Sequence, residues 1–343
     1  MTSYRFDRRQ LMAGAAALGG ASLFGAPAHA KGGVTAAIYP GNWDEQYRTV
    51  VAPALKKAHD VDLALEPLFA VDQVAKVQAA RGLPPFDCFV LDPGPRVTAM
   101  ERGLFEPFDG SKLTNAGKLP AGSIDKWGVA VNTQLVGIVY NPKKLPKPKS
   151  WKDLFEEPYV SRLGLTGFQT TFGTVSLIEM AKAFGGSETD VEPIFETIKK
   201  ALPKVAAIMA PAAVPGLFQQ GQIDITYTNT NNVASLKARG VDIEFAAPES
   251  GTITFGTTLH ITKGADNKEN AYKYIDTAIS APVQDALLKS SAQMLPVNKD
   301  VVLSGDLPIK SLDELSKFVT HDWTKINPLR AKWIERFNKE VTK

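Results

Sequence analysis

The sequence predicts an α/β protein. Short runs rich in β-branched and other apolar residues alternate with longer segments in which apolar residues recur every three or four positions. The chain has 343 residues, of which 44% are hydrophobic and 22% charged, so it can bury a large core and has the length of about two domains. With one cysteine, Cys88, the chain has neither an intramolecular disulfide nor a cysteine-based metal cluster.

The first thirty residues have the pattern of an export signal. Arg8 and Arg9 precede a weakly apolar run from Leu11 to Ala26, and the run closes at Ala28-His29-Ala30, a small-residue cleavage site. The segment resembles a twin-arginine signal, although Asp7 stands where that motif has serine. We therefore expect residues 1–30 to be a twin-arginine-type signal peptide removed near Ala30, which predicts a periplasmic protein. A general secretory signal and a retained anchor are the alternatives.

The first half of the mature chain reads as a strand–helix alternation. A strand that begins at Val34 breaks at Pro40-Gly41, and Pro53 is expected to kink or divide the helix that follows. Cys88 lies in an apolar run typical of a buried strand, so its thiol is expected to be inert. The predicted strands are 34–39, 61–65, 87–91, 129–131 and 136–140, and the predicted helices are 43–58, 71–81 and 96–102.

A second α/β unit follows an exposed connection. Residues 141–150 hold proline and lysine with almost no apolar content, which is typical of a solvated linker. Beyond it the same alternation resumes and then gives way to a mainly helical final segment. The predicted strands are 162–166, 205–209, 223–227, 243–246 and 257–262, and the predicted helices are 174–184, 190–202, 214–220, a segment ending at Arg239, 267–280, 282–290, 311–318 and 328–341.

The charge and the absence of familiar motifs argue against several functions. The net charge is +3, and the signal segment contributes three arginines and one aspartate, so the remainder is almost neutral and carries no basic stripe for nucleic acid. His59, His260 and His321 have no metal-ligand spacing, and the sequence contains no nucleotide-binding loop or nucleophile elbow. We therefore expect no metal, no cofactor and no enzymatic activity.

Polar residues gather where predicted strands end and helices begin. Open α/β sheets bind ligands at these carboxyl ends, because backbone N–H groups and short polar side chains converge there. Each candidate also has a structural interpretation: helix capping for the threonines and asparagines, core packing for the aromatic residues, and the helix dipole for the acids. The candidate ligand-binding residues are Asn42, Trp43, Asp44, Asp92, Gln169, Thr170, Thr171, Tyr227, Asn229, Asn231 and Glu249.

Three groups of segments carry a resemblance to a known family. They are Asp87–Asp92 with Ala99–Phe108, then Gly137–Pro142 with Pro148–Leu154, and finally Lys268–Asp276 with Leu295–Asn298. In their order and spacing they resemble the extracellular solute-binding proteins of ABC importers, in the group that includes spermidine/putrescine-binding proteins. The resemblance covers essentially the whole mature chain.

The resemblance implies a bilobal, type II periplasmic binding fold: two α/β lobes joined by a two-strand hinge, with a ligand cleft between them. The lobes would comprise residues 31–137 with 256–300, and 138–255 with 301–343. It further implies a monomer that captures a small polar solute by hinge closure and delivers it to an ABC permease in the inner membrane, with no nucleic-acid partner.

The ligand remains open between a polyamine-like amine and a small organic zwitterion or anion. Polyamine-binding members hold ammonium groups with carboxylates from both lobes, and here the loops 227–232 and 167–173 contain none. The alternatives to an importer component are an exported enzyme that uses Asp92 and Glu249 as acid and base, and a periplasmic ligand sensor.

Overall fold

The computed structural model describes residues 32–305 and 307–342, so the predicted signal peptide lies outside the described residues. The strands are β1 Val34–Ile38, β2 Leu63–Pro67, β3 Cys88–Leu91, β4 Ile124–Asp125, β5 Gly128–Tyr140, β6 Gly164–Leu165, β7 Ala207–Ile208, β8 Ile225–Asn229, β9 Glu244–Ala246 and β10 Ile253–Ile261. The helices are α1 Asn42–Gln46, α2 Ala52–His59, α3 Ala70–Ala79, α4 Pro93–Glu101, α5 Thr171–Ala183, α6 Glu192–Ala201, α7 Val214–Gln219, α8 Thr230–Ala238, α9 Lys268–Ala278, α10 Ala281–Leu288 and α11 Trp323–Glu340. Within the described ranges, none of these helices combines the length and apolar character needed to cross a membrane.

One long sheet runs through the molecule. Its path is β2-β1-β3-β10-β5-β4, and β8 and β9 also pair with β5. Strands β1, β2 and β3 are parallel, whereas β10 and β5 run antiparallel to their neighbours. The thirteen-residue β5 is long enough to pair with β4 near its start and with β8 and β9 near its end.

The buried apolar side chains form two main cores along this sheet. One contains the first part of β5, through Val129 and Val131, with β1, β3, the end of β10 and α9. The other contains the last part of β5, through Val136 and Ile138, with β8, α5, α6 and α11. We call the two parts lobe 1 and lobe 2. Strands β5 and β10 therefore pass from one lobe to the other, and the boundaries at residues 137/138 and 255/256 stay a prediction.

Helix α11 packs on lobe 2 and also reaches lobe 1. Its Trp333 and Phe337 lie against Phe168 of lobe 2. At its start, the Trp323 ring lies so close to Gly94 of α4 that a β-carbon at position 94 would stand 2.8 Å from it. Glycine at this position therefore permits the close approach of α4 and α11.

Prolines affect two of the predicted helices, and the division expected near Pro53 is present. The predicted helix 43–58 is divided by a π-helical turn, Tyr47–Val51, and Pro53 then occupies the first turn of α2, where its missing N–H costs nothing. Helix α11 begins at Trp323 rather than at Pro328, because Asp322 caps its N-terminus and Pro328 is accommodated inside it. The segment 311–318 contains a 3₁₀ helix, Leu312–Lys317.

Candidate ligand-binding cleft

A cleft of about 680 Å³ lies between the lobes, a volume within the usual range for small-molecule sites. Strand-to-helix junctions of both lobes line it: β1–α1, β2–α3 and β3–α4 from lobe 1, and β6–α5 and β8–α8 from lobe 2. The carboxyl ends of the strands and the N-termini of the following helices thus meet at one place, as expected for an open α/β sheet.

Arg330 of α11 is the buried cation of the cleft. Its side chain is only 6% exposed, and it lines the cleft. Nε donates to the carbonyl of Phe168 at 3.0 Å and Nη2 to the carbonyl of Gln169 at 2.6 Å, so the guanidinium is fixed immediately before α5. Burial lowers the pKa of Arg330 to about 10, while the negative charge of Asp92 opposes that shift. The group is therefore charged at neutral pH.

The two bonds of Arg330 leave donor capacity unused. Nη1 and the second hydrogen of Nη2 have no acceptor among the residues that the structure describes. Nη1 lies beside Gly94, where a β-carbon would stand 3.1 Å from it. A buried guanidinium with free N–H groups at the wall of a cleft is suited to donate hydrogen bonds to a carboxylate or phosphate oxygen.

Asp92, in contrast, is already bonded by protein donors. Its Oδ1 accepts from the Thr257 hydroxyl at 3.1 Å and from Gln134 Nε2 at 3.4 Å. Burial raises the pKa of Asp92 above its usual value, and the neighbouring hydroxyl groups of Thr171, Tyr39 and Thr257 oppose the rise. Nearby, burial and then the charge of Asp92 raise the pKa of Tyr39.

A chain of polar side chains links the lobes at the cleft floor. Asn229, before α8, donates from Nδ2 to Gln134 Oε1 at 2.6 Å. Gln134 lies in β5 and donates from Nε2 to the Thr257 hydroxyl of β10 at 2.8 Å, and Thr257 donates to Asp92 of lobe 1. Both crossing strands therefore take part in the network that connects the two walls.

Two lobe 2 helices, α5 and α8, begin at the cleft, and the side chain of each N-cap residue bonds to an N–H group of the first turn. Thr170 Oγ1 accepts from the Gly173 N–H at 3.1 Å, and Asn229 Oδ1 accepts from the Asn232 N–H at 3.0 Å. The capping interpretation of these side chains thus holds in the structure, and both residues still line the cleft. The partial positive charge of the α5 and α8 N-termini adds to that of Arg330.

Eight of the eleven predicted residues line the cleft. They are Asn42, Trp43, Asp92, Gln169, Thr170, Thr171, Asn229 and Asn231. Among these, the Gln169 side chain is turned toward α11, where its Nε2 donates to Asn338 Oδ1 at 3.1 Å, so this residue meets Arg330 through its carbonyl oxygen.

The structure does not bring Asp44, Tyr227 and Glu249 to the cleft. Asp44 pairs with Arg48 at 2.9 Å along the first helical turns. Tyr227 is fully buried in lobe 2, where its hydroxyl accepts from the Thr166 N–H and donates to the Thr166 carbonyl. Glu249 is exposed in a turn after β9, and its N–H donates to the Lys149 carbonyl at 2.8 Å. An acid–base pair of Asp92 and Glu249 is therefore not assembled.

The sequence analysis did not identify Arg330 and Gln134, two cleft residues that are each held by several hydrogen bonds. Arg330 belongs to no local motif, and Gln134 lies in a strand that was predicted as two. A signal for Arg330 exists nevertheless, because it occupies the same helical face as Trp323, Ile326 and Trp333, which are buried apolar residues. Across the described ranges, no cluster of three or more histidine, cysteine or acidic side chains could hold a metal ion.

Sequence comparison identifies the family of the chain. A sequence profile for bacterial extracellular solute-binding proteins matches residues 51–315. The chain belongs to this family. The spermidine/putrescine-binding periplasmic proteins of Salmonella typhimurium and Escherichia coli are each 26% identical to it, over 196 and 193 residues, which is 51% of this chain. The chain spans about half the length of these curated relatives, 53% in each case.

Solved structures confirm the predicted fold. The binding protein AgtB from A. tumefaciens R10, in complex with agropinic acid, superposes with a TM-score of 0.74 at 18% identity, over 92% of this chain and 100% of that one. The periplasmic binding protein AfuA from Actinobacillus pleuropneumoniae, with fructose-6-phosphate bound, gives a TM-score of 0.72 at 19% identity, over 91% and 99%. The chain therefore has the bilobal α/β fold of type II periplasmic binding proteins.

Proposed function

We propose that this protein is the substrate-binding component of an ABC importer and that its solute is a small organic anion. The protein would bind the solute in the periplasm, close around it by motion at β5 and β10, and present the closed form to a permease in the inner membrane. Export through the predicted signal peptide, a monomeric state and the absence of a cofactor are parts of this proposal. Family membership and the fold support its general outline.

The choice of an anion rests on one observation about the two buried charges of the cleft. The Arg330 guanidinium keeps N–H groups without an acceptor among the described residues, whereas Oδ1 of the nearby Asp92 carboxylate already accepts hydrogen bonds from Thr257 and Gln134. A ligand ammonium would meet an occupied carboxylate and a buried positive charge. A carboxylate or phosphate would meet free donors and two helix N-termini.

The relatives do not decide between amine and anion. Curated relatives are named for spermidine and putrescine, while structural neighbours hold an acid and a sugar phosphate. A polyamine site would need further carboxylates, and among the described lining residues only Asp72 joins Asp92 as an acid. Asp72 is exposed, so solvent would screen its attraction for an ammonium group.

A ligand screen tests the proposal. The purified protein is unfolded and refolded to remove any bound solute, and its melting is then followed with organic acids, sugar phosphates, amino acids and polyamines. A ligand present at about 100 times its Kd should stabilise the fold by about 2.7 kcal/mol. We expect the shifts among the acids and phosphates. Stabilisation by spermidine or putrescine alone would contradict the anion assignment and restore the amine alternative.

A further inference from the structure

A long segment of lobe 2 contributes a wall to the cleft that has no polar side chain. From Val205 to Phe218 the sequence contains only Val, Ala, Ile, Met, Pro, Gly, Leu and Phe. Its middle, around α7, lines the cleft through Ala210, Pro211, Ala212, Val214 and Pro215. This wall can offer a ligand only apolar contacts and backbone groups.

Lobe 1 contributes apolar side chains that remain open to solvent. Phe69 and Val71, at the start of α3, line the same cleft and are each 55% exposed. In the described part of the chain, Leu83 and Val302 are the other large hydrophobic residues with such exposure, and neither lines the cleft. Trp43, which is almost fully buried, continues the lobe 1 wall. Exposed apolar side chains gathered at a cleft indicate a binding surface.

Charge is confined to few positions around this apolar surface. Among the described residues that line the cleft, the acidic and basic ones are Asp72, Asp92, Arg239 and Arg330. Asp72 and Arg239 are exposed, whereas Arg330 is buried next to Asp92 at the floor. The cleft thus combines one anchored cation with free N–H groups, a lobe 2 wall at residues 210–215 without polar side chains, and the apolar side chains of Phe69 and Val71 on lobe 1.

We propose that the solute is an organic anion with an apolar body, such as an aryl or branched alkyl carboxylate. This inference rests on the proposed function and narrows it. The acid group would accept hydrogen bonds from the free N–H groups of Arg330. The apolar body would contact Phe69 and Val71 of lobe 1 on one side and the 210–215 wall of lobe 2 on the other. Closure of the lobes would then remove both walls and the ligand body from water together, which favours the closed form.

A small, fully polar anion would leave this apolar surface unused. The two walls would then face each other across a gap, or meet each other without the ligand. In either case Phe69 would not contact the ligand, so its substitution would not remove a contact with the ligand. The effect of substituting Phe69 on the affinity therefore distinguishes an anion with an apolar body from a small polar anion.

The test is calorimetric titration of the purified protein with four probes: 3-phenylpropanoate, lactate, 3-phenylpropan-1-amine and spermidine. We expect 3-phenylpropanoate to bind at least tenfold more tightly than lactate, and neither amine to bind. The Phe69→Ser variant should bind the phenyl acid about tenfold more weakly, because part of the apolar contact is lost. The control is Leu83→Ser, which removes an equally exposed apolar side chain from lobe 1 outside the cleft and should leave the affinity unchanged.

The outcomes separate this inference from the proposed function. Lactate that binds as tightly as the phenyl acid, with an affinity unaffected by Phe69→Ser, would overturn the apolar body and leave an anion-binding protein. Lack of binding by the phenyl acid also overturns the inference. Binding of spermidine alone would overturn the anion assignment itself.

Discussion

Replacement of Arg330 by methionine should separate ligand binding from stability. Methionine keeps a long apolar side chain but removes the charge and all the N–H donors. The structure allows both consequences to be worked out, because Arg330 bonds to two backbone carbonyls, at 3.0 and 2.6 Å, and is buried with its pKa lowered to about 10.

The effect on stability should be limited to a few kcal/mol, because two opposing contributions partly cancel. Loss of two hydrogen bonds from a charged donor removes about 1.5–3 kcal/mol each. Against this, a pKa lowered from 12.5 to about 10 means that burial of the charged group opposes folding by on the order of 3 kcal/mol, which the variant no longer suffers. The free energy of unfolding should therefore fall by no more than about 3 kcal/mol.

The effect on binding should be large. Truncation of one partner in a buried, hydrogen-bonded charge pair weakens binding by about 2–5 kcal/mol, which is about thirtyfold or more in Kd. The assay is calorimetric titration with the best anion from the screen, together with urea unfolding. Arg239→Met is the matched control, since it removes an exposed arginine of the same cleft and should change Kd by less than about fivefold. An Arg330→Met protein that binds the anion as the parent does would refute the reasoning.

Three further predictions follow from the same contacts. Gly94→Ala would place a β-carbon 2.8 Å from the Trp323 ring, so it should destabilise the protein by about 1–3 kcal/mol and weaken anion binding. The control Gly117→Ala has open space around the new β-carbon and should have neither effect. Equal urea midpoints for the two variants would contradict this account. Asp92→Asn keeps an oxygen for Thr257 but removes a negative charge near Arg330, so titration should show equal or tighter anion binding, and a large loss of affinity would indicate that Asp92 holds a ligand ammonium. Burial lowers the pKa of His260 to about 3, so the stability that depends on the neutral imidazole is complete above pH 6.5 and is lost as the pH falls toward 3. Urea unfolding should show that the free energy of unfolding falls by about 2 kcal/mol between pH 7 and pH 5. A His260→Gln variant whose stability has the same pH dependence as the parent would show the assignment to be wrong.

The order of strands and helices could be predicted from the sequence because it depends on local patterns. The apolar run that became β3 and the Gly41 break after β1 are read within a few residues. The junctions at Asp92, Thr170 and Asn229 could be placed at one cleft for the same reason, since the carboxyl ends of the strands converge in this class of fold.

The positions of Arg330, Tyr227 and Glu249 relative to the cleft could not be predicted, because they depend on contacts between segments that are distant in the sequence. Arg330 reaches the cleft because α11 packs against residues more than 150 positions earlier in the chain, and Pro328 concealed the start of that helix. Tyr227 was expected at the cleft, but burial on both faces of β8 directs its hydroxyl to Thr166. Glu249 follows a strand and lies outside the cleft, because that turn is held by the 141–150 connection.

The most direct measurement is the identity of the solute that the protein carries when it is purified from its native cells without unfolding. Native mass spectrometry of the purified protein, followed by extraction and mass determination of the released compound, gives the mass and the charge of that solute. We predict one organic acid per chain, which is absent from the Arg330→Met protein. A polyamine in its place, retained by the Arg330→Met protein and lost from Asp92→Asn, would contradict the account.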